Sequence, residues 1–183
     1  MPVDFMVSGK TLLVKWMMMN NQISVAILTV SDRSHKGERS DKSGPTIIEF
    51  LTTNSFLIAD YQIVPDEINQ IINIINKWVE LEIQIIFTSG GTGFAPRDIT
   101  PEATLSIIEK ETPGISEYLR FKSIQITPHA MLSRGVSGIK NKSLIINLPG
   151  SPKAAKECVE FLLPVLPHAI ELVINSPDSE FNH

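Results

Sequence analysis

Cysteine is almost absent. Cys158 is the single thiol among 183 residues, so no intramolecular disulfide is available, and four scattered histidines beside it offer no zinc-ligand spacing. Basic charge is short as well: 16 Lys+Arg stand against 20 Asp+Glu, a net charge of −4 with a pI near 5.6. A nucleic-acid-binding domain carries a basic stripe and a pI above about 9, so nucleic acid is not an expected partner. No stretch reaches the ~20 apolar residues of a spanning helix. The N-terminal run Val7 to Met19 is broken by Lys10 and Lys15 and is followed by no small-residue cleavage site. No membrane partner is expected, and a reducing cytoplasm is the expected setting. Residues 1–22 read as an extension outside the domain, with Met1, Met17, Met18 and Met19 as competing starts.

What remains is an ordinary globular composition, 43% hydrophobic and 20% charged, which excludes disorder and fibrous repeats. The length suits one domain, 23–175, able to bury about 70% of its unfolded surface, with a polar tail over 176–183. Ile23 to Val30 is a β-branched run, apolar on both faces, that predicts a buried parallel strand, followed by a polar loop, Ser31 to Gly37. Ser43-Gly44-Pro45-Thr46 predicts a helix start. A second strand, Phe56 to Val64, stops at Pro65. Asp66 could cap the next helix, whose apolar face is Ile68, Ile71, Ile72, Ile75, Trp78 and Val79.

The third strand, Ile83 to Thr88, runs into a Gly/Pro-rich loop, Ser89 to Glu102, that ends at a Thr100 cap with Pro101 at the first helical position. Helices are expected over Pro101 to Glu111 and Gly114 to Lys122, and a short strand over Ser123 to Ile126. Ser143 to Leu148 is the fourth strong strand. It leads into a turn and a helix carrying Ala155, Cys158, Val159, Leu162 and Leu163 on one face, with a last helix from His168 to Ile174. Cys158 reads as a core thiol. Strands alternating with helices predict an α/β fold, a three-layer αβα sandwich around a mostly parallel sheet.

Ligands in such sheets sit beyond the carboxyl ends of the strands. Three loops reach that edge: Thr29 to Gly37, Thr88 to Thr100, and Asn147 to Lys153. Their glycines and hydroxyls, at helix N-termini, suit phosphate. Two patterns carry no weight: Ser8-Gly9-Lys10-Thr11 lacks the first glycine of a P-loop, with Asp4 in its place, and Asn141-Lys142-Ser143 is a bare glycosylation sequon. Asp66 and Asp98 stand at strand ends, where Mg²⁺ bound to nucleotide phosphates needs carboxylates. With Thr100 as the better cap, Asp98 has less structural purpose. Arg33, Arg97, Arg134 and Lys153 are the candidate cations for phosphate.

Several motifs occur in one order: Thr29-Val30-Ser31-Asp32-Arg33, Asp41-Lys42-Ser43-Gly44-Pro45, Pro65-Asp66-Glu67, Gly90-Gly91-Thr92-Gly93, Pro96-Arg97-Asp98-Ile99-Thr100-Pro101-Glu102-Ala103-Thr104, Met131-Leu132-Ser133-Arg134, and Asn147-Leu148-Pro149-Gly150-Ser151-Pro152-Lys153. From Ile23 to Ile174 the chain resembles the molybdopterin adenylyltransferases, the MogA/MoaB family, and the gephyrin G domain. Ser89 stands where many relatives have Thr, which keeps the hydroxyl.

The resemblance implies AMP transfer from ATP to the phosphate of molybdopterin, with metal insertion left to a separate insertase domain or protein. It implies catalytic roles for Asp66 and Asp98, both as Mg²⁺ ligands. Ser31, Asp32, Arg33, Ser89, Gly90, Gly91, Thr92, Gly93, Arg97, Pro149, Gly150 and Ser151 are implied in nucleotide and phosphate binding, Ser133 and Arg134 nearer the pterin. A homotrimer is implied on the same basis. Two other readings stay open: a non-catalytic molybdopterin-binding scaffold of the same fold, and a generic nucleotide hydrolase.

Overall fold

The computed structural model describes residues 22–174. Apart from Gln22, the expected N-terminal extension with its Ser8-Gly9-Lys10-Thr11 pattern lies outside the described residues, as does the expected polar tail.

β1 (Ser24–Val30) is buried along its whole length. It pairs in parallel with β2 (Leu57–Val64) on one side and β3 (Ile85–Ser89) on the other. β3 pairs in parallel with β6 (Ser143–Leu148), and β6 is followed outward by antiparallel β5 (Ser137–Lys140) and β4 (Lys110–Glu111). The order is β2-β1-β3-β6-β5-β4.

Alternate side chains of these strands enter two separate cores, which is why β1, β3 and β6 are apolar on both faces. Val25, Ile27, Ile85, Phe87, Leu144 and Ile146 pack with Ile47 and Leu51 of α2 (Ser43–Thr53), Leu119 of α5 (Pro113–Ile124), Cys158 and Val159 of α6 (Pro152–Leu162), and Ile170 of α7 (Leu166–Ile174). Ala26, Leu28, Ile86 and Ile145 pack with Ile71, Ile75 and Trp78 of α3 (Ile68–Glu80) and Ala103 of α4 (Thr100–Leu105). The expected three-layer sandwich around a mostly parallel sheet is thus the observed architecture. Cys158 is a core thiol, its pKa pushed up by burial to about 11.

The differences from expectation concern short elements. The polar loop after β1 contains a single helical turn, α1 (Asp32–His35), capped by the Ser31 hydroxyl accepting from Ser34 N–H at 3.2 Å. The helix expected to reach Glu111 ends at Leu105, because Lys110–Glu111 pairs with β5. Both residues of β4 are exposed, so this edge strand carries no alternation to betray it. Ser123 and Ile124, expected in a strand, extend α5 instead. β5 lies unannounced in the Gly/Ser stretch. α7 begins two residues early, Pro167 being tolerated in its first turn, where no amide donor is needed.

Candidate active site

The chain passes from β1 to β2 on one side and later to β3 on the other, which makes a topological switch point between β1 and β3. A cleft of about 530 Å³ opens there, walled by Val30 and Ser31 after β1, Asp66 after β2, Ser89 to Gly91 after β3, and Gly150 to Pro152 after β6. Its floor is the turn at Gly90 and Gly91, with φ of +102° and +63°. A Cβ on Gly90 would run into the Val30 carbonyl oxygen, and one on Gly91 into the Thr100 hydroxyl. Only glycine serves at both positions.

Thr100 fixes this turn from outside. Its hydroxyl donates to Gly90 O at 2.8 Å and its N–H to Gly91 O at 3.0 Å. The side-chain cap expected of Thr100 is therefore not made; Ile99 is the cap residue. Ser89 Oγ donates to Pro149 O at 3.0 Å, and Ser43 Oγ to Gly150 O at 3.3 Å, tying the β6 loop to the same floor. The N-terminus of α6, with Ser151 as its cap residue, faces the cleft and favours an anion there.

Two carboxylates line this cleft with similar bonding. Asp66 Oδ2 accepts the Asp32 N–H at 2.9 Å, and Asp98 Oδ2 accepts the Ala95 N–H at 2.9 Å. The second oxygen of each takes no hydrogen bond from the described residues. The cap role open to Asp66 is not realised, since Glu67 precedes α3 and no side chain caps that helix. Burial pushes the Asp66 carboxyl above the usual carboxylate range. The Asp32 backbone hydrogen bond opposes that rise, and the charges of Asp32 and Asp98 add to it.

Asp41, Ser34 and Arg39 also line the cleft, and the sequence reading gave none of them a role. Asp41 accepts from Thr29 Oγ1 (2.7 Å), Tyr61 OH (2.5 Å) and the Ser43 and Gly44 amides (2.9 and 3.1 Å), which makes it a structural hub at the start of α2. Burial opposes its ionisation, but the Tyr61, Thr29 and backbone hydrogen bonds hold its carboxyl below the usual range. The Ser34 hydroxyl is buried without a partner among the described residues. Its signal was its place one turn beyond the Ser31 cap.

The remaining candidates divide among three places. Ser133 and Pro149 line a neighbouring, mainly apolar cavity of about 230 Å³ with Arg120, Ser123, His129, Asn147 and Cys158. Arg134 and the opposite side of Asp98 face a shallow hollow beside Phe94. Thr92 is buried and Gly93 half-buried in the loop between. Arg33 is exposed and lines none of these cavities, and Lys153 lies 3.8 Å from Glu157. Asp32 and Arg97 face each other in an ion pair of 2.6 Å, and the guanidinium holds the Asp32 carboxyl below the usual range.

The donor set suits a hard divalent cation whose shell the protein fills only in part. Among the described residues no three His, Cys, Asp or Glu side chains gather to hold a metal by themselves. Two carboxylates with one uncommitted oxygen each are what Mg²⁺ takes from a protein when substrate phosphates and water complete its shell. The cleft sets three carboxylates, Asp41, Asp66 and Asp98, against one guanidinium, Arg39, so a polyphosphate entering it needs a further cation. Magnesium fits.

Fold and site together define a class: an open α/β domain with a polar, glycine-floored cleft at the switch point of its sheet. A family model described as "Probable molybdopterin binding domain" matches residues 26–168, and the chain belongs to this family. It is 43% identical over 157 residues to a molybdopterin adenylyltransferase of Helicobacter pylori, spanning 84% of this chain and 89% of that one. It is also 43% identical to gephyrin of Dictyostelium discoideum, across 85% of this chain and 23% of that longer protein. The chain thus spans about a quarter of the length of that relative. The crystal structure of the molybdopterin biosynthesis enzyme MoaB from Thermus thermophilus superposes with a TM-score of 0.80 at 48% identity, covering 85% of this chain and 99% of that one.

Proposed function

We propose that the protein is a molybdopterin adenylyltransferase. A phosphate oxygen of molybdopterin attacks the α-phosphorus of ATP, a new P–O bond forms, the bond to the bridging oxygen of the β-phosphate breaks, and pyrophosphate leaves. The observation that carries this reading is the pair of half-committed carboxylates, Asp66 and Asp98, facing a glycine turn and a helix N-terminus in one cleft. A phosphate is already a competent nucleophile, so the protein supplies position and charge neutralisation rather than a covalent intermediate.

Asp66 and Asp98 would hold Mg²⁺, which when bound neutralises phosphate charge. The Ser31 and Ser34 hydroxyls, the Gly91 amide, and the α6 N-terminus at Gly150 and Ser151 receive the phosphates. The unpartnered Ser34 hydroxyl supports that assignment. The cavity at Ser133 and Pro149, mostly apolar and set beside the cleft because Pro149 precedes the cleft residue Gly150, suits the pterin. A cytoplasmic setting, a homotrimer and hand-over to an insertase belong to the same reading. Among the described residues no helix is long and apolar enough to cross a membrane.

The test is pyrophosphate release from ATP and Mg²⁺ by the purified protein, with and without molybdopterin. Release that requires molybdopterin supports transfer. Release without it favours a hydrolase, and tight pterin binding without release favours a scaffold.

A further inference from the structure

Asp66 and Asp98 sit in loops after β2 and β3, strands that are not neighbours because β1 runs between them. No ladder hydrogen bond sets the distance between the two carboxylates. Arg97 bridges the gap and Arg134 braces its Asp98 side, and both are already engaged with protein oxygens in the same pattern.

Arg97 donates from Nε to Asp32 Oδ2 at 2.6 Å and from Nη2 to Asp32 Oδ1 at 2.9 Å and to the Asp66 main-chain oxygen at 3.0 Å. Arg134 donates from Nε to Gly93 O at 2.7 Å and from Nη2 to the Asp98 main-chain oxygen at 2.6 Å, while Nη1 meets Glu102 Oε1. Each guanidinium thus joins one acidic side chain to the carbonyl of one aspartate of the pair. Around Asp66 the ring closes reciprocally: Asp32 N–H donates to Asp66 Oδ2 at 2.9 Å, and Asp66 N–H to Asp32 Oδ1 at 3.2 Å. Arg97 precedes Asp98 in the chain, so its bonds tie the Asp98 loop directly to the Asp66 loop. Neither guanidinium lines the cleft between the strand ends.

We infer that Arg97 with Asp32 and Arg134 with Glu102 are positioning pairs, the first holding the Asp98 loop to the Asp66 loop and the second bracing the Asp98 loop against the start of α4, and that neither arginine is a phosphate ligand. The inference rests on the adenylyl-transfer reading for what the aspartates do, while the contacts stand without it. The work asked of each arginine needs the planar fork of a guanidinium, which reaches a carboxylate and a carbonyl at once; a lysine ammonium is a point charge and does not replace it.

The experiment is steady-state kinetics of Arg97→Ala, Arg97→Lys, Arg134→Ala and Arg134→Lys, joined to amide hydrogen exchange read by NMR. Arg97 has 60% of its side chain exposed, so its removal leaves no buried void and the variant folds. In the Ala variants kcat falls about 10- to 100-fold with KM for ATP held within about threefold, as displacement of reacting groups predicts, and Lys does not restore it. In Arg97→Ala the Asp32 and Asp66 amides lose protection at least about tenfold, and in Arg134→Ala they keep it. A KM for ATP raised with kcat retained, or full recovery in the Lys variants, overturns the inference in favour of direct phosphate contact. If the wild-type protein releases no pyrophosphate, the functional reading fails by itself. Amide exchange then decides the pairs, and unchanged protection in Arg97→Ala refutes them.

Discussion

Asp66 is a half-buried carboxylate facing two others, and its energetics run against its chemistry. Its carboxyl is pushed up, chiefly by burial, so the folded state holds the proton more tightly than the unfolded chain does. That contribution to stability is fully present below the ordinary value of 3.8 and is lost as pH rises through the raised value. At pH 7 the ionised side chain therefore destabilises the fold. Asp66→Asn keeps an acceptor for the Asp32 N–H and removes the charge. It should raise the Tm at pH 7, with the gain vanishing toward pH 3, while adenylyl transfer falls at least about 100-fold; calorimetry beside the turnover assay checks both. Asp66 was legible in the sequence as an acid just beyond a strand, and Asp98 as an acid without a capping role in the Gly/Pro-rich loop after β3. Their local partners were not. The Asp32 N–H that holds Asp66 comes from 34 residues away, and the Thr100 hydroxyl, read as a cap, turns back to a carbonyl ten residues earlier. Such choices are made by tertiary contact, and a pattern of neighbours does not record them.

The elements that build the site are the C-terminal ends of β1, β3 and β6 and the turns that follow them. Period and composition revealed these strands to within two residues because both of their faces are buried. The β4–β5 edge stayed hidden: its strands have two and four residues, and Lys110 and Glu111 read equally well as the end of a helix. At the turn after β3, Gly90 combines φ of +102° with a Cβ position blocked by the Val30 carbonyl. Gly90→Ala should cost roughly 2–3 kcal/mol in denaturant unfolding from backbone strain and abolish phosphate binding, since the turn must move to admit the methyl group. An Ala variant with wild-type stability would show that the turn has another available conformation.

Across the whole molecule, one crossover choice explains where function lies. Because β2 and β3 flank β1, the loops after all three converge with the β6 loop on one crevice, and the helix N-terminus of α6 faces it. Three Gly- or hydroxyl-rich loops after strands announced this crevice, but strand order itself is a property of the packed sheet. α5 and the turn after it, which wall the apolar cavity beside the cleft, leave Tyr118, Phe121, Ile126 and Met131 exposed, apolar surface that an assembly would cover. The proposed homotrimer predicts a solution mass three times the 20.3 kDa chain; sedimentation equilibrium giving the chain mass at micromolar concentration would rule the trimer out.

In the proposed reaction, two carboxylates held across non-adjacent strands drive adenylyl transfer to molybdopterin. Its most direct measurement is pyrophosphate release with ATP and Mg²⁺, with and without molybdopterin, for the wild-type protein, Asp98→Ala and Asp98→Asn. The Asn variant retains an acceptor for the Ala95 N–H and changes only the charge. Release should depend on molybdopterin and fall at least about 100-fold in both variants while they remain folded. Release indifferent to molybdopterin, or near-wild-type turnover in a folded Asp98→Asn protein, would contradict the proposed reaction.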